Sequence, residues 1–286
     1  MRVGLSLLPA DDLRLAQAPL FAAGVVDAVE VTLDHAMGDW MPDWMVAVAD
    51  HYSGEGALYG HGVHFSTLSA ILEPRHLDWL GALTRETERR RYVHVSEHFG
   101  FMTVPGVRRG APLPIPFTKA SVELGRDRLS RLTAAARAPV GLENLGLAMS
   151  ARDALALGEF MEQVLAPSDG FLLLDLHNLY CAAVSYSLDP RVLLSSMPLQ
   201  RVRELHVSGG SLYTPKVNST RPFRRDTHDG PVPEVVFELV SAAIPQCPKL
   251  EVVILERLGN TLSTPEDVTR YREDFMRLAG CVERAA

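Results

Sequence analysis

The 286-residue sequence has little cysteine and no long apolar run. Cys181, Cys247 and Cys281 are too few and too scattered for a disulfide framework or a CxxC metal site, so we expect a reducing compartment. No apolar run reaches the roughly 18 residues that a membrane helix needs. The first residues, MRVGLSLL, read as a strand without the charged region and cleavage site of a secretory signal. These absences predict a cytoplasmic protein that is not inserted in a membrane.

The sequence also lacks an excess of positive charge. Its formal net charge is -7, whereas proteins that bind nucleic-acid phosphates usually concentrate Lys and Arg on one face. We therefore expect no nucleic-acid partner. A few arginines are grouped nonetheless, and they form a candidate surface for an acidic peptide segment or a terminal carboxylate. These are Arg108, Arg109, Arg221, Arg224 and Arg225.

Short apolar runs alternate with longer segments of helical period, which is typical of βα units around a parallel sheet. The predicted strands are 2–8, 28–33, 57–65, 92–99, 139–145, 170–178, 202–208 and 250–256. The clearest amphipathic helices between them are 74–91, 118–137, 151–165, 232–244 and 264–280. Eight strands without a linker-like change in composition predict a single-domain (β/α)8 TIM barrel over residues 1–286. The Gly-, Pro- and Arg-rich gaps 100–117 and 209–230 read as βα loops beside an active site.

Six consecutive predicted strands each place a metal-capable residue near their carboxyl end, and three more such residues follow close behind. Alone, each is an ordinary core histidine, helix cap or ion-pair partner. Together they should line one face of the barrel. The set is His61, His98, Glu143, Asp175, Asn178, His206, Asp226, His228 and Glu256.

Four of these residues are carboxylates, and their convergence is informative. Two like charges ~4 Å apart cost about 4 kcal/mol at an effective dielectric of 20, so such a group needs protonation or cations. Metal ions with neutral imidazoles meet that need. Nine candidates are too many for one ion, and Glu143, central in strand order, is the natural bridge. Nitrogen and oxygen donors without thiolate fit iron, manganese or zinc.

Several neighbouring polar residues fall outside this predicted set. Side chains alternate along a strand, so Glu97 should point away from the face that carries His98. His64 and His177 have the wrong parity for a ligand and are candidates for a supporting or substrate role. Cys181 is expected to pack. The end of the second strand adds possible pocket residues, namely Glu30, Asp34 and His35.

With these residues in place, the chain resembles the multinuclear non-heme iron-dependent oxidases, a family of the xylose isomerase-like barrel superfamily that includes the methanobactin-forming oxidase. The resemblance runs from about residue 28 to 260, in both the order and the spacing of its motifs. They are GHGVHFS (60–66), VSEHFGF (95–101), LENLG (142–146), LLLDLHNLY (172–180), RVRELHVSGG (201–210), DTHDGPVPE (226–234) and VILERLGN (253–260).

The resemblance implies three metal positions. The first is held by His61, His98 and Glu143, a three-ligand set that leaves an open coordination position and is expected to be catalytic. The second is held by Glu143, Asp175, His206 and Glu256. The third is held by Asn178, Asp226 and His228.

The sequence departs from the family pattern at a few positions. Gly210 stands where many members have a second histidine, and Arg257-Leu258 replaces the usual tryptophan and acid after the last glutamate. His64 replaces a common small residue. These changes bear on the substrate more than on the metals.

The resemblance also implies an activity. Members use two to three iron ions of mixed Fe(II)/Fe(III) valence and dioxygen to oxidise a side chain, usually cysteine, of a ribosomally made precursor peptide. A partner protein or domain often recognises the leader part of that peptide. We expect the same cofactor, co-substrate and partners here.

Other functions remain open from the residues alone. Endonuclease IV-like barrels hydrolyse phosphodiesters with a similar three-metal set, but they have a histidine where this chain has Asn178. Sugar isomerases usually work beside a lysine, and the lysines here, Lys119, Lys216 and Lys249, lie off the strand ends. A peptide-binding protein without turnover should have lost ligands, whereas all nine positions are filled.

Overall fold

The predicted strand segments form a closed barrel. The computed structural model describes residues 1–38, 40–104, 107–214 and 222–285. In chain order, the strands are β1 (Arg2–Leu7), β2 (Ala28–Thr32), β3 (Leu58–Gly62), β4 (Val95–His98), β5 (Phe101–Val104), β6 (Val107–Leu113), β7 (Val140–Glu143), β8 (Phe171–Asp175), β9 (Val202–Val207), β10 (Leu212–Tyr213), β11 (Phe223–Arg224) and β12 (Val252–Leu255).

Eight of these strands close the barrel, in the order β1, β12, β9, β8, β7, β4, β3, β2. Neighbouring strands of the barrel pair in parallel all the way around. The remaining strands form two antiparallel pairs, β5 with β6 and β10 with β11. The predicted TIM-barrel fold is therefore confirmed.

Helices follow the strands and cover the outside of the barrel. They are α1 (Asp11–Ala22), α2 (Leu33–Ala36), α3 (Asp43–Gly54), α4 (Pro74–Arg89), α5 (Lys119–Ala135), α6 (Ala151–Leu165), α7 (Leu176–Tyr186), α8 (Pro190–Ser196), α9 (Glu234–Ala243) and α10 (Pro265–Ala285). Two 3-10 turns lie at Leu199–Arg201 and Ile244–Gln246.

Side-chain alternation divides the apolar residues between two cores. Outward-facing strand residues such as Leu172 and Leu174 join the large core between barrel and helices. Inside the barrel a separate small core contains Ala28, Tyr59, Val252 and Ile254. This interior packing supports the polar side chains that follow on the same strand faces.

The sequence-based boundaries need two corrections. Each predicted strand segment contains a barrel strand, but segment 170–178 ends as a strand at Asp175, where α7 begins at once. Gaps 100–117 and 209–230 are not plain loops, because they carry the two antiparallel strand pairs. At the β8–α7 junction, apolar residues recur on both sides of Asp175, so the sequence pattern does not mark where the strand ends.

Two further predictions concern the cysteines and the membrane. Cys181, Cys247 and Cys281 are buried and free. Among the residues described, no helix combines the length and apolar character needed to span a bilayer.

Candidate metal centre

Three barrel strands bring the first group of predicted ligands together. His61 near the end of β3, His98 at the end of β4 and Glu143 at the end of β7 all lie within reach of one ion. The Nε2 atoms of His61 and His98 each lie 3.2 Å from the same carboxylate oxygen, Glu143 Oε2. The two imidazole rings meet edge to face, 4.7 Å apart between centroids. Two nitrogens and one oxygen thus converge on one point.

Asp175 and Asn178 are positioned by the abrupt change from β8 to α7. Asp175 is the N-cap of that helix, and its Oδ1 accepts a 2.6 Å hydrogen bond from the Asn178 backbone N–H. Asn144 fixes the strand end from the other side, because its amide bonds both the N–H and the C=O of Asp175. The Asn178 side chain donates to Glu143 Oε1 at 3.3 Å. The second Asp175 oxygen, Oδ2, is buried without a hydrogen-bond partner among the described residues.

The strands β9 and β12 and the loop after β11 supply the remaining ligands. His206 Nδ1 lies 3.0 Å from Glu256 Oε2, and His228 Nδ1 lies 3.8 Å from the same oxygen. Asp226 Oδ1 contacts His228 Nε2 at 2.7 Å. The His228 backbone has a φ of +49°, a left-handed conformation that is uncommon outside glycine and is found at binding sites.

The nine predicted residues form overlapping groups rather than separate pairs. In the described part of the chain, ligand atoms within 4.8 Å of one another define four groups, and three of them consist of predicted residues only: His61 with His98 and Glu143, Glu143 with Asp175 and His206, and Asp175 with Asp226 and His228. The fourth joins His206 to the buried carboxylates Glu30 and Glu204. Glu143 and Asp175 each belong to two groups. Asn178 and Glu256 join through the contacts given above, so the structure brings all nine together.

Buried polar atoms without partners show that this donor set fits metal ions. Within the described residues, several ligand atoms have less than 1 Å² of exposed surface and make no hydrogen bond of acceptable geometry. A desolvated oxygen or nitrogen in that state is costly unless it binds something. The atoms concerned include Glu143 Oε2, Asp175 Oδ2, Asn178 Oδ1, His206 Nδ1 and Glu256 Oε2.

The pKa shifts of the carboxyl groups have the same origin. Burial opposes the charge on Asp175, and the charges of Asp226 and Glu143 repel it, so the pKa of Asp175 lies well above its usual value. Burial also opposes the charge on Glu256, but His206 outweighs it and lowers the pKa of Glu256 to about 2. Cations beside Asp175 would permit its ionisation.

The imidazoles compensate for part of this negative charge. Burial lowers the pKa of His61, yet the adjacent Glu143 carboxylate more than reverses that effect and raises it to about 9. Burial lowers the pKa of His98 below its usual value. A metal ion at this group would have to displace the His61 proton, because only a neutral imidazole binds metal.

Parity correctly places Glu97 on the outer face of β4, but that face is not exposed there. Its carboxyl is buried against Trp79 and Gly62, and burial raises the pKa of Glu97 well above its usual value. Its Oε1 lies 3.9 Å from His98 Nδ1. Glu97 thus lies behind a predicted ligand, which alternation alone does not indicate.

His64 and His177, two histidines predicted to lie outside the ligand set, occupy different positions. The His64 side chain is 64% exposed and lies 3.3 Å from Asp34 Oδ1. Asp34 also accepts hydrogen bonds from the Val63 N–H and the Trp79 indole, so it links α2 to the segment after β3 and to α4. His177 is buried, with Nδ1 3.2 Å from Asp226 Oδ1, which gives it the supporting position that was one of its predicted roles.

Cys181 lies beside the ring of His177. Its Sγ is 3.8 Å from both ring nitrogens of that histidine, and burial raises the pKa of the thiol. A buried neutral thiol is a packing residue rather than a ligand. The half-buried His35 belongs to none of the four ligand groups described above.

The departure at Gly210 has a structural reason. A Cβ atom there would overlap the backbone carbonyl of Arg225 and lie 2.7 Å from a ring carbon of His177. His177 and Arg224 fill this space, because the Arg224 guanidinium donates to His177 Nε2 at 2.9 Å and to the Gly210 carbonyl at 2.8 Å. A histidine at 210 would require a different loop.

The predicted arginine surface is only partly described. Arg221 and the side chains of Arg108 and Arg109 lie outside the described residues. Arg224 is bonded to His177 and Gly210, as above. Arg225 is exposed, donates to Ser211 Oγ at 2.8 Å and stacks over Tyr213.

Comparison with solved structures supports the fold. The chain superposes over its full length on the IOLI protein with a bound zinc atom, covering 98% of that chain with a TM-score of 0.61 and 13% identity. A xylose isomerase-like TIM barrel protein from Mycobacterium smegmatis, in complex with magnesium, gives a TM-score of 0.57 at 13% identity, covering 98% of this chain and 97% of the other. The fold is therefore a TIM barrel, here with converging nitrogen and oxygen donors at one end.

Sequence comparison identifies the family. Residues 3–271 match the family described as RiPP precursor modification enzyme MbnB/TglH/ChrH, where RiPP denotes a ribosomally synthesised and post-translationally modified peptide. The chain belongs to that family. Its relatives include UPF0276 proteins of Caulobacter vibrioides, 32% identical over 77% of this chain and 75% of the relative, and of Acaryochloris marina, 30% identical over 70% and 75%.

Proposed function

We propose that this chain is a multinuclear non-heme iron-dependent oxidase that uses dioxygen to modify a side chain, often cysteine, of a ribosomally synthesised precursor peptide. The observation that carries the proposal is the convergence of nine nitrogen and oxygen donors, in a chain of this family. Such donors without thiolate suit iron, manganese or zinc. The peptide substrate is inferred from membership of the family, whereas the choice of iron among these metals is our own proposal.

The donors divide among three metal positions as the sequence resemblance implies. His61, His98 and Glu143 would hold the first ion, and Glu143 would bridge to a second held also by Asp175, His206 and Glu256. The third would be held by Asn178, Asp226 and His228. Support comes from the shared oxygen Glu143 Oε2 and from the position of Glu256 between His206 and His228.

The chain's own residues would perform distinct tasks. His61, His98 and Glu143 supply only three donors, a set that leaves coordination positions open for substrate and dioxygen. His61 and His98 are largely buried, with 7% and 15% of their side chains exposed, so bulk water has little access to that group. A mixed-valence iron set would supply electrons to dioxygen, and would bind a substrate thiol or carboxylic acid as its anion and so lower the pKa of that group.

The peptide would approach across the βα loops. Of the two arginines of the predicted surface whose side chains are described, Arg225 is the exposed one. It is a candidate contact for an acidic segment or terminal carboxylate. Arg224 is better placed to brace His177, and through it Asp226. We also propose that a partner protein or domain presents the leader part of the peptide.

A cytoplasmic location is part of the proposal. Three buried free thiols are typical of a reducing compartment.

The direct test is turnover of a precursor peptide encoded beside this chain. Iron-reconstituted protein, peptide and dioxygen should give a change in peptide mass, and the change should be absent without dioxygen. Zinc- or manganese-loaded protein serves as the matched control and should leave the peptide unchanged. Hydrolysis of bis(4-nitrophenyl) phosphate by those control forms, with no peptide oxidation by the iron form, would replace the oxidase with a phosphoesterase.

A further inference from the structure

The second ring nitrogen of His206 faces away from the ligand group. Its Nδ1 lies 3.0 Å from Glu256, whereas its Nε2 lies 3.1 Å from Glu30 Oε2 on β2. A metal-bound imidazole uses the lone pair of one nitrogen and carries hydrogen on the other. The group that accepts a hydrogen bond from one ring nitrogen holds the hydrogen there, and so leaves the other nitrogen free to bind metal.

Glu30 is the nearer of two candidate acceptors. Glu204 also approaches His206, but its Oε1 is 3.7 Å from Nε2, and its Oε2 is occupied by His94 Nε2 at 2.8 Å. Glu30, Glu204 and His206 are all at most 2% exposed. Water therefore has little room to replace Glu30, and the Glu30 carboxylate is the partner best placed for the His206 Nε2–H group.

His61 shows the opposite arrangement. Its Nε2 faces Glu143 at 3.2 Å, and its Nδ1 lies 2.8 Å from Ser96 Oγ, directly across the β3–β4 pair. The Ser96 hydroxyl donates to the Gly60 carbonyl at 3.4 Å, so it is free to accept from His61 Nδ1–H. The two histidines thus turn different ring nitrogens toward the ligand group, Nε2 for His61 and Nδ1 for His206.

We propose that Glu30 is a positioning residue that holds the Nε2–H of His206 and thereby presents Nδ1 to a metal ion, while Ser96 holds His61 in the reverse sense. The proposal rests on the proposed metal centre but not on iron or on oxidation. Carboxylate or hydroxyl partners of metal-bound histidines fix ring orientation, and their loss typically costs about 10- to 100-fold in metal affinity.

Zinc is the probe for the test, because it binds nitrogen and oxygen donors and is diamagnetic. Two-dimensional ¹H–¹⁵N spectra of histidine-labelled protein report which ring nitrogen carries hydrogen. In the zinc-loaded wild type we expect His206 to be bound through Nδ1 and His61 through Nε2. This measurement needs no variant, so it remains decisive even if a substitution prevents folding.

Variants then test the two supports separately. Glu30→Leu keeps much of the volume and removes the acceptor, so the His206 signals should shift at about 10- to 100-fold higher free zinc, with His61 unchanged. Glu30→Gln restores a neutral acceptor and should recover part of the affinity. Ser96→Ala is the matched control and should weaken binding at His61 alone. Free zinc is set by competition with a chromophoric chelator.

The possible failures are distinguishable. Binding of His206 through Nε2, or a wild-type titration for Glu30→Leu, would overturn the positioning role while the metal centre stands. A wild type in which zinc shifts neither histidine would overturn the metal centre together with the positioning role.

Discussion

Glu143 is the residue shared by the first two proposed metal positions. One of its oxygens lies 3.2 Å from both His61 Nε2 and His98 Nε2, and its side chain belongs also to the group of Asp175 and His206. A carboxylate in that position reduces repulsion between two cations as well as binding each of them. Its removal should therefore affect more than one ion.

Replacing Glu143 with alanine should remove at least two metal ions from the protein. Elemental analysis after gel filtration measures the loss, and thermal unfolding checks that the variant is folded. Glu162→Ala is the control, because Glu162 lies on α6 outside the barrel, pairs with Arg201 and should leave the metal content unchanged. Full metal retention in Glu143→Ala would refute the bridging role.

His61 predicts how metal-free protein responds to pH. Its folded-state pKa, about 9, exceeds the ordinary value of 6.5, so its stabilising contribution is complete below about pH 6.5 and is lost as pH rises through 9. The shift corresponds to about 3 kcal/mol. Chelator-treated protein should therefore lose stability to urea between pH 6.5 and 9, and His61→Gln should lose less.

Metal-loaded protein should show the reverse trend in that range. Protons compete with metal for His61, so metal affinity and the stability it confers should rise as the pH increases. A metal-free stability that rises over this interval would contradict the assigned proton on His61.

At the scale of elements, the β8–α7 junction combines two functions in Asp175. One oxygen caps α7 through the Asn178 N–H, and the other is buried without a hydrogen-bond partner in the residues described and is available to a metal ion. The pKa of Asp175 is raised because burial and neighbouring carboxylates oppose its charge, so an ionised Asp175 destabilises the metal-free fold at neutral pH.

Two substitutions separate these functions. Asp175→Asn keeps a capping oxygen and removes the charge, so the metal-free variant should be at least as stable as wild type at pH 7, yet bind metal weakly. Asp175→Ala also loses the cap, at a cost of about 1 kcal/mol. Urea unfolding of both metal-free variants measures the difference. An Asn variant as unstable as the Ala variant would contradict the burial argument.

The barrel strands were predictable because strands buried on both faces form nearly continuous apolar runs between helical segments. The start of α7 was not, since apolar residues recur on both sides of the junction, at Leu174, Leu176 and Leu179. The antiparallel pairs within 100–117 and 209–230 also lacked a sequence signal, because each depends on pairing within an irregular segment.

The convergence of the nine candidate ligands was predictable for a related reason. Parallel strands end at one face, so a residue at a strand end is placed without knowledge of its neighbours. The residues behind the ligands depend on neighbours: Ser96 meets His61 through the β3–β4 register, and Glu30 meets His206 from across the barrel interior. A single sequence does not specify those distances.

At the scale of the whole molecule, the carboxyl-end loops should receive the peptide. Arg225→Glu should weaken binding of a precursor peptide with an acidic segment, with an effect that diminishes at high salt, because exposed charges are screened. Arg191→Glu on α8 is the control, since Arg191 is also exposed and lies away from these loops. Fluorescence anisotropy measures both affinities, and unchanged binding in Arg225→Glu would exclude this contact.

Metal content by elemental analysis, together with Mössbauer spectroscopy on protein purified without oxygen from iron-57 medium, tests the central claim most directly. The account predicts two to three irons per chain with both ferrous and ferric signals, held by the nine donors at the end of the barrel. Zinc or manganese at the same stoichiometry, from cells with ample iron, would contradict it and favour metal-assisted hydrolysis.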